Sequence, residues 1–411
     1  MNSVGMGQAQ VPSDGGPVVN AEESVLDSIE DAVQAIANGE LVVVVDDTDR
    51  ENEGDLIMAA GKATPEKIAF MIRHTSGILC VPMSAERARK LHLEPMVADN
   101  SDPMRTAFKV SVDYLQGMTT GISATERAAT VNALANDNVV ASDFTRPGHI
   151  FPLISRSGGV LTRSGHTEAG TDLAALAGCE PAGVLAEIVN DDGTLKRLPE
   201  LLVFAKEHGL KIVSIEDLIA YRIRTQKFIR RIEDAPVTIR GMGARMYSYA
   251  SDLSNMHHMV LVFGEVQAGD DIPCRIYREQ PIDDLVGRLN GARNSMDTAL
   301  EEIAANGGRG IVMVVRNPKS HDLTSEAAGE GDAAVRGDGT DLAPEAHQSA
   351  LDRKQRWREI GIGAQILRDL GVQSIALITT SKRQFVGLGG FGIAISSVVR
   401  LNPDGSRFEK T

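Results

Sequence analysis

The segment LVVVVDDTDRENEGD, from Leu41 to Asp55, constrains the fold more than any other part of the chain. It opens with five apolar residues, four of them Val, which is the pattern of a fully buried strand. The ten residues from Asp46 to Asp55 then hold six carboxylates and one Arg. Because so many like charges repel each other, a bound cation or a binding role would offset the repulsion. Open α/β sheets bind ligands at the carboxyl ends of their strands, so a ligand site is expected here.

Two other interpretations of this segment stay open. A solvated acidic loop is the ordinary outcome for a run of charges. Against it, Gly54 permits a tight turn and a new apolar run, Leu56 to Ala60, follows at once. A calcium loop of the EF-hand type needs Gly at its sixth position, and that position is Asn52 when counting starts at Asp47.

Length and charge limit the classes of protein. The 411 residues predict two or three domains. The formal net charge of −14 argues against nucleic-acid binding, and an anionic substrate would need local Arg or Lys. Three widely spaced cysteines exclude a disulfide framework and a Cys-rich zinc site. Neither a signal peptide nor a run of 18 apolar residues is present, so we expect a cytoplasmic protein with no membrane partner.

Strand and helix patterns alternate along the first region, which predicts α/β or α+β architecture with a mixed sheet. Residues 1–23 are expected to form a disordered tail, and the first domain to span residues 24–230. Residues 231–411 predict a second α/β domain, with a mobile Gly-rich loop from Pro318 to Gln348. The other predicted elements are helices beginning near Ser24, Thr64, Ser123, Thr167, Leu198, Ile215 and Asp283, and strands at Gly77–Val81, Thr106–Asp113, Val160–Thr162 and Gly183–Asn190.

The residues from Arg163 to Thr167 predict an anion site. A strand, a Gly-containing turn and a helix start would direct free N–H groups and the positive end of the helix dipole at a phosphate. His166 lies inside this turn, where a His is more often a surface or capping residue than a ligand. A divalent cation held by Glu51 and His166 would bridge sugar hydroxyls, and an imidazole ligand makes Mn²⁺ a credible substitute for Mg²⁺.

Three further residues have a functional and an ordinary interpretation. Glu187 interrupts an apolar strand and suits a general acid or base if buried, or else lies on the solvent face. His149 is predicted to follow a Pro-Gly turn and is a second proton carrier or a structural hydrogen-bond partner. Cys80 ends an apolar strand and fits the core better than a reactive site.

Six motifs within about residues 24–222 resemble 3,4-dihydroxy-2-butanone 4-phosphate synthase. They occur in the family's order: DDTDRENEGD, IRHTSGILC, TTGISATERAAT, RPGHIFPL, GGVLTRSGHTEA and AEIVNDDGT. The resemblance implies a riboflavin-pathway lyase that converts D-ribulose 5-phosphate to L-3,4-dihydroxy-2-butanone 4-phosphate and formate. It also implies a homodimer through the first domain, with Mg²⁺ or Mn²⁺ and two ions per active site. No zinc is expected, because the three cysteines are too few and too widely spaced for a Cys-rich zinc site.

The resemblance also implies roles for individual residues. Glu51 and His166 match the metal ligands, and His149 and Glu187 match the catalytic acid/base pair. The substrate contacts are expected to be Arg50, Glu51, Asp55, Arg163, Ser164, Gly165, His166 and Thr167. The loop from Asp102 to Arg105 departs from the family, which usually carries smaller or aromatic residues near a Gly there.

The second region resembles GTP cyclohydrolase II, most clearly in GIGAQILRDLGV, Gly361 to Val372. That enzyme needs three zinc cysteines, but only Cys274 occurs in this region. Ile360 also replaces the Tyr expected before the motif. We therefore expect a retained fold without hydrolase activity. Three alternatives stay open: a bifunctional enzyme, a second domain that is a binding or regulatory module, and a non-catalytic metal-binding scaffold.

Overall fold

The computed structural model describes residues 26–48, 50–252, 254–267, 270–279, 295–316, 359–380 and 392–401. Their strands form two mixed seven-stranded sheets, so the predicted α/β class is confirmed. Three predictions lie outside these residues: the tail at 1–23, the loop from Pro318 to Gln348 and the first half of the helix expected from Asp283. No helix in the described ranges is both long enough and apolar enough to cross a membrane.

The first sheet has the strand order β4-β5-β3-β6-β2-β1-β7 and combines parallel and antiparallel pairs. Its strands are β1 Val42–Val45, β2 Gly54–Ala59, β3 Cys80–Met83, β4 Val112–Tyr114, β5 Phe144–Ile154, β6 Gly183–Glu187 and β7 Lys211–Ser214. The helices of this domain are α1 Ile29–Ala37, α2 Pro65–His74, α3 Ala85–Lys90, α4 Ala124–Ala135, α5 His166–Leu176, α6 Leu198–His208 and α7 Ile215–Thr225.

Helices cover both faces of this sheet. On β2, a Cβ at Gly54 would meet Leu201 of α6, whereas Ile57 packs against Gly170 of α5. Residues three apart on a strand point to opposite faces, so α5 and α6 lie on opposite sides. All four residues of β1 are buried, which agrees with the continuous apolar run from Leu41.

Polar caps begin several helices where the sequence predicts them. The side chains of Thr64, Ser123 and Ser214 each accept a backbone N–H of the first turn, and Ser123 forms a capping box with Glu126. The first helix begins later than predicted. Ser28 accepts the N–H of Asp31 as its cap, so α1 starts at Ile29.

Several strand predictions are wrong in position or type. A 3-10 turn, Gly159–Leu161, replaces the strand expected at Val160–Thr162, because Gly158 and Gly159 have positive φ angles of 90° and 61°. The strand expected over Thr106–Asp113 begins only at Val112, as β4. The strand expected at Gly77–Val81 is β3, which begins later, at Cys80. Pro147 and Gly148 lie within β5, after a cis bond, and form no turn before His149.

The second sheet has the order β14-β13-β11-β12-β10-β9-β8. Its strands are β8 Ile229–Ile239, β9 Met242–Ser251, β10 Ser254–Phe263, β11 Ile272–Arg278, β12 Gly310–Val315, β13 Ser374–Thr379 and β14 Ala394–Arg400. Two helices accompany it, α8 Ser295–Ala305 and α9 over residues 359–369. One cluster of buried apolar side chains contains members of both sheets, so the core continues across the junction.

Candidate active site

The acidic segment forms the loop of a β-hairpin. Val45 at the end of β1 pairs with Gly54 at the start of β2. Asp46 organises this loop, since its carboxylate accepts the N–H groups of Glu51 at 3.1 Å and Glu53 at 2.9 Å. Two strands flank the loop, which excludes the EF-hand alternative, because that motif joins two helices. The Asp46 side chain is 1% exposed, so a freely solvated loop is also wrong.

His166 meets these carboxylates at the first position of α5. Its Nε2 lies 3.0 Å from the carbonyl oxygen of Val44, which accepts only, so Nε2 carries the proton. The free Nδ1 therefore faces Asp55 Oδ1 at 3.9 Å and Glu51 Oε2 at 4.0 Å. A buried imidazole lone pair directed at two carboxylates has the arrangement of a metal ligand.

Two triads of ligand atoms share His166. One atom each from Asp46, Glu51 and His166 lie within 4.8 Å of one another, and the same holds for Glu53, Asp55 and His166. Oxygen atoms with one imidazole nitrogen suit Mg²⁺ or Mn²⁺. The arrangement thus fits a divalent cation.

The electrostatics of this cluster reflect crowded negative charge. Burial, with the nearby charge of Glu187, raises the pKa of Asp55 well above its usual value. Burial and Glu51 raise the pKa of Glu53 to about 7, and burial lowers the pKa of His166 to about 4. Asp55 Oδ1 is buried and has no hydrogen-bond partner, so a positively charged group beside it would relieve an unfavourable arrangement.

Two guanidinium groups lie beside the start of α5. A Cβ on Gly165 would lie 2.6 Å from Arg163 Nη1 and 3.1 Å from Arg50 Nη2, so only Gly lets the backbone approach both. Arg163 donates to Glu168 at 2.8 Å, and Arg50 donates to Asp46 at 2.9 Å. Two guanidinium groups beside a helix N-terminus have the chemistry of an anion site, and this group of residues is called the cradle below. A 3-10 turn precedes it, in place of the predicted strand.

The remaining two predicted contacts differ in exposure. Thr167 is buried in the first turn of α5, and Ser164 is partly exposed just before it. The loop from Asp102 to Arg105 reaches this region, because Arg163 Nη2 donates to the Met104 carbonyl at 3.3 Å. This loop therefore borders the cradle.

His149 is paired with Asp113, a residue that sequence reasoning missed. Asp113 Oδ2 lies 2.6 Å from His149 Nδ1, and Oδ1 accepts the His149 N–H at 2.9 Å. Gly121 packs directly on this pair and has a positive φ angle of +83°. A Cβ at this position would overlap the Asp113 carboxylate, so only Gly is accommodated. The carboxylate orients the ring and leaves Nε2 available for proton transfer.

Glu187 ends β6 opposite Asp55 of β2, and is half-buried. Its Oε2 accepts the Ser76 hydroxyl at 2.7 Å. Cys80 pairs with both Phe151 and Leu185, so His149 and Glu187 lie at one end of the sheet. Two strand spacings, about 10 Å, separate their backbones. Cys80 itself is buried, as expected of a core residue.

Sequence reasoning also missed the partners that hold the site in place. They are Asp113 for His149, Ser76 for Glu187, Glu168 for Arg163 and Asp46 for the acidic loop. Only Asp46 had a sequence signal, as one of the six clustered carboxylates. The other three pairings depend on strand register and on how the helices pack.

Two protein families match successive parts of the chain. Residues 30–221 match the model of 3,4-dihydroxy-2-butanone 4-phosphate synthase, and residues 230–400 match the model of GTP cyclohydrolase II. The monofunctional riboflavin biosynthesis protein RIBA 2 of Arabidopsis thaliana is 44% identical over 402 residues, covering 94% of this chain and 80% of that protein. The bifunctional RIBA 1 of the same plant is 44% identical over 379 residues, covering 91% and 69%.

A solved structure shares both domains. It is RibBX, a two-domain 3,4-dihydroxy-2-butanone 4-phosphate synthase from A. baumannii, with 36% identity and a TM-score of 0.66. The alignment covers 90% of this chain and 99% of that one. The fold and site thus define a two-domain lyase of the riboflavin pathway. The chain belongs to the family in which a 3,4-dihydroxy-2-butanone 4-phosphate synthase domain precedes a GTP cyclohydrolase II domain. Its first domain converts D-ribulose 5-phosphate to L-3,4-dihydroxy-2-butanone 4-phosphate and formate.

Proposed function

We propose that Glu51 and His166 hold a divalent cation in this lyase site, with Mg²⁺ or Mn²⁺ as the ion. The observation that carries this proposal is the position of His166 Nδ1, which lies 4.0 Å from Glu51 Oε2 and 3.9 Å from Asp55 Oδ1. Asp55 Oδ1 has no hydrogen-bond partner, and these distances leave room for an ion between the ligand atoms. Two ions per site are part of the proposal. His166 Nδ1 has one lone pair and would bind one ion, while the nearby carboxylates of Asp46, Glu51, Glu53 and Asp55 offer oxygen ligands for a second. When bound, a cation would polarise the adjacent sugar oxygens as a Lewis acid.

The substrate phosphate is assigned to the cradle at the start of α5. Arg50 and Arg163 provide charge and the first N–H groups of α5 provide donors, with Gly165 allowing close approach. Asp55, Ser164 and Thr167 complete the proposed contacts. Local positive charge is required here because the chain as a whole carries a net charge of −14.

His149 and Glu187 are the proposed acid/base pair. Enolisation of a ketose requires a base at carbon, and a carboxylate and an imidazole both suit that task. Asp113 positions His149, and Ser76 positions Glu187. Their backbones lie two strands apart at one end of the sheet, so a small sugar phosphate fits between the two side chains.

A homodimer through the first domain is also proposed. Ile78, Leu115 and Ile122 are large apolar residues that are each close to half exposed. Ile122 follows Gly121 beside the His149 pair, and Ile78 lies at the same end of the sheet. Apolar side chains around a polar site are typical of a subunit interface. Sedimentation of the full chain gives the mass that tests this.

The second domain, residues 231–411, is proposed to retain the cyclohydrolase fold without its activity, after a first domain at 24–230. The zinc site of the cyclohydrolase family needs three cysteine thiolates, and this region has only Cys274. Cys274 is fully buried, and burial raises the pKa of its thiol to about 12. Similarity to a protein described as monofunctional supports this, whereas the bifunctional relative represents the alternative. Incubation with GTP, followed by formate and zinc analysis, separates the two.

The cytoplasm is proposed as the location. Cys80, Cys179 and Cys274 are all free, as expected in a reducing compartment.

Formate release from ribulose 5-phosphate tests the site assignment. The wild-type chain with Mg²⁺ is expected to release formate, and chelation is expected to stop it until Mg²⁺ or Mn²⁺ is restored. Glu51→Gln is expected to abolish release and to lose the rise in melting temperature that Mn²⁺ causes, because a bound ion stabilises the folded state. Formate release by the chelated protein, or by Glu51→Gln at the wild-type rate, would contradict the proposal.

A further inference from the structure

The most recognisable trace of the second domain's family, Gly361 to Val372, contacts the first domain. Gln365 of α9 lies against the end of α7, the last helix of the lyase domain. Its Nε2 donates to the carbonyls of Ile223 at 3.1 Å and Gln226 at 2.7 Å. Its Oε1 accepts the N–H of Phe228 at 3.1 Å. Since the last carbonyls of a helix have no intrahelical partner, Gln365 satisfies groups that α7 leaves open.

The surrounding packing makes this contact close. A Cβ on Gly361 would lie 2.2 Å from Ile223 Cγ2, so only Gly lets the two helices approach this far. Ile223 and Phe228 belong to the same buried core as residues of α9. At the other end of α9, Asp369 accepts hydrogen bonds from Arg231 at 2.8 Å and from the Tyr249 hydroxyl at 2.9 Å.

A chain of hydrogen bonds then leads from α7 to α5. Arg222 Nε donates to the side chain of Gln226 at 3.0 Å, and Gln226 is the residue whose carbonyl Gln365 holds. Arg222 Nη1 also donates to the Gly158 carbonyl at 2.9 Å and to Asp172 Oδ2 at 2.5 Å. Asp172 in turn accepts the N–H of Val160 at 2.8 Å. Helix α7 is thereby joined to both α5 and the turn before the cradle.

We propose that α9 of the second domain acts as a support for the lyase site, with Gln365 as a positioning residue. Asp172 and His166 are six residues apart on α5, about 9 Å along one rigid helix. A shift of α7 therefore changes the direction in which α5 presents His166 and Gly165. This gives the second domain a function that needs neither zinc nor GTP, and it rests on the proposed role of α5 in binding metal and phosphate.

The test uses the full chain with two substitutions in the same segment. Gln365→Ala removes the three hydrogen bonds. Gln373→Ala, eight residues further along the chain, shortens an exposed side chain beyond the end of α9 and serves as the matched control. For Gln365→Ala we expect faster amide hydrogen exchange in residues 215–226 and 166–176. We also expect a fall in the lyase kcat/KM of about two- to thirtyfold, mainly through KM, which is the range for residues that couple distant sites. The control is expected to match the wild type in both measurements.

The outcomes distinguish the possibilities. Faster exchange confined to residues 215–226, with unchanged kcat/KM, would mean that Gln365 only caps α7, and the proposal would be overturned. If Gln365→Ala does not fold, Gln365→Glu replaces it, because this variant keeps the acceptor for Phe228 and loses the two hydrogen bonds that Gln365 donates. A wild-type kcat/KM and wild-type exchange in Gln365→Glu would likewise overturn the proposal. If the wild type releases no formate, the proposed function fails, whereas exchange in residues 166–176 still decides whether α9 acts on α5.

Discussion

The Asp113 carboxylate holds His149 at two points, the imidazole Nδ1 at 2.6 Å and the backbone N–H at 2.9 Å. Asp113→Asn keeps the shape but removes the charge that selects the ring's tautomer. We expect kcat for formate release to fall by about ten- to hundredfold, part of what a positioned acid/base group contributes. The control is Asp137→Asn, whose side chain is 65% exposed. An unchanged kcat in Asp113→Asn would remove the positioning role.

Gly121 and Gly117 form a natural comparison, since their φ angles are +83° and +78°. A Cβ at Gly121 would lie 2.1 Å from Asp113 Oδ2 and 2.9 Å from His149 Nδ1, whereas a Cβ at Gly117 meets nothing within 4 Å. Both Ala variants should lose about 1 kcal/mol of stability from positive φ. Only Gly121→Ala should lose most of its lyase activity. Equal activity in the two variants would show that the pair tolerates displacement.

Asp55→Asn is expected to lose lyase activity and to be more stable than the wild type. Asp55 is buried among carboxylates and its Oδ1 has no partner, so removing its charge relieves both desolvation and repulsion. In metal-free buffer we expect the melting temperature to rise by a few degrees, or about 1 kcal/mol, while formate release is lost. Glu207→Gln removes one exposed carboxylate elsewhere and serves as the control. A lower melting temperature for Asp55→Asn would contradict this account.

His258 is expected to make the second domain sensitive to acid. Burial, followed by the charge of Arg316, lowers the pKa of His258 to about 4, and its Nδ1 accepts the Arg316 N–H at 3.2 Å. The unfolded chain, with an ordinary His pKa of about 6.5, binds the proton first. The contribution of His258 to stability should therefore be constant above that pH and decline between about pH 6.5 and pH 4, by up to about 3 kcal/mol.

Melting curves at several pH values check this prediction. His258→Gln should show a shallower decline, while His257→Gln, its exposed neighbour on β10, should follow the wild type. Parallel curves for the wild type and His258→Gln would assign the acid sensitivity to other groups.

The local elements could be predicted because their causes are local. The apolar run from Leu41 forms a fully buried strand, and the caps at Thr64, Ser123 and Ser214 begin their helices. A prediction from local pattern is wrong where a residue far away in the chain binds the backbone. Gly158 and Gly159 turn the backbone, and the N–H of Val160 then donates to Asp172, twelve residues away on α5. The segment therefore forms a 3-10 turn in place of the predicted strand.

In the candidate site, too, contacts between residues near in the chain could be predicted, and contacts between distant residues could not. Glu51 and Asp55 lie on one hairpin, so their proximity follows from the sequence itself. The distance of 4.0 Å between Glu51 and His166 joins residues that are far apart in the chain. The sequence suggested it only as a hypothesis of a shared cation, which the family resemblance also implied. Nothing in the sequence pointed to Asp113 as the partner of His149, because the register of β4 against β5 brings them together.

The sequence by itself determined the class of fold, the acidic hairpin, the helix caps and the family. Those features depend on hydrophobic period, on neighbouring residues and on motifs that can be compared directly. Only the tertiary structure decided which carboxylate orients His149, which carbonyl selects the tautomer of His166, and which helix of the second domain supports α7. These depend on packing between elements far apart in the chain, where a shift of one residue in register would pair different side chains.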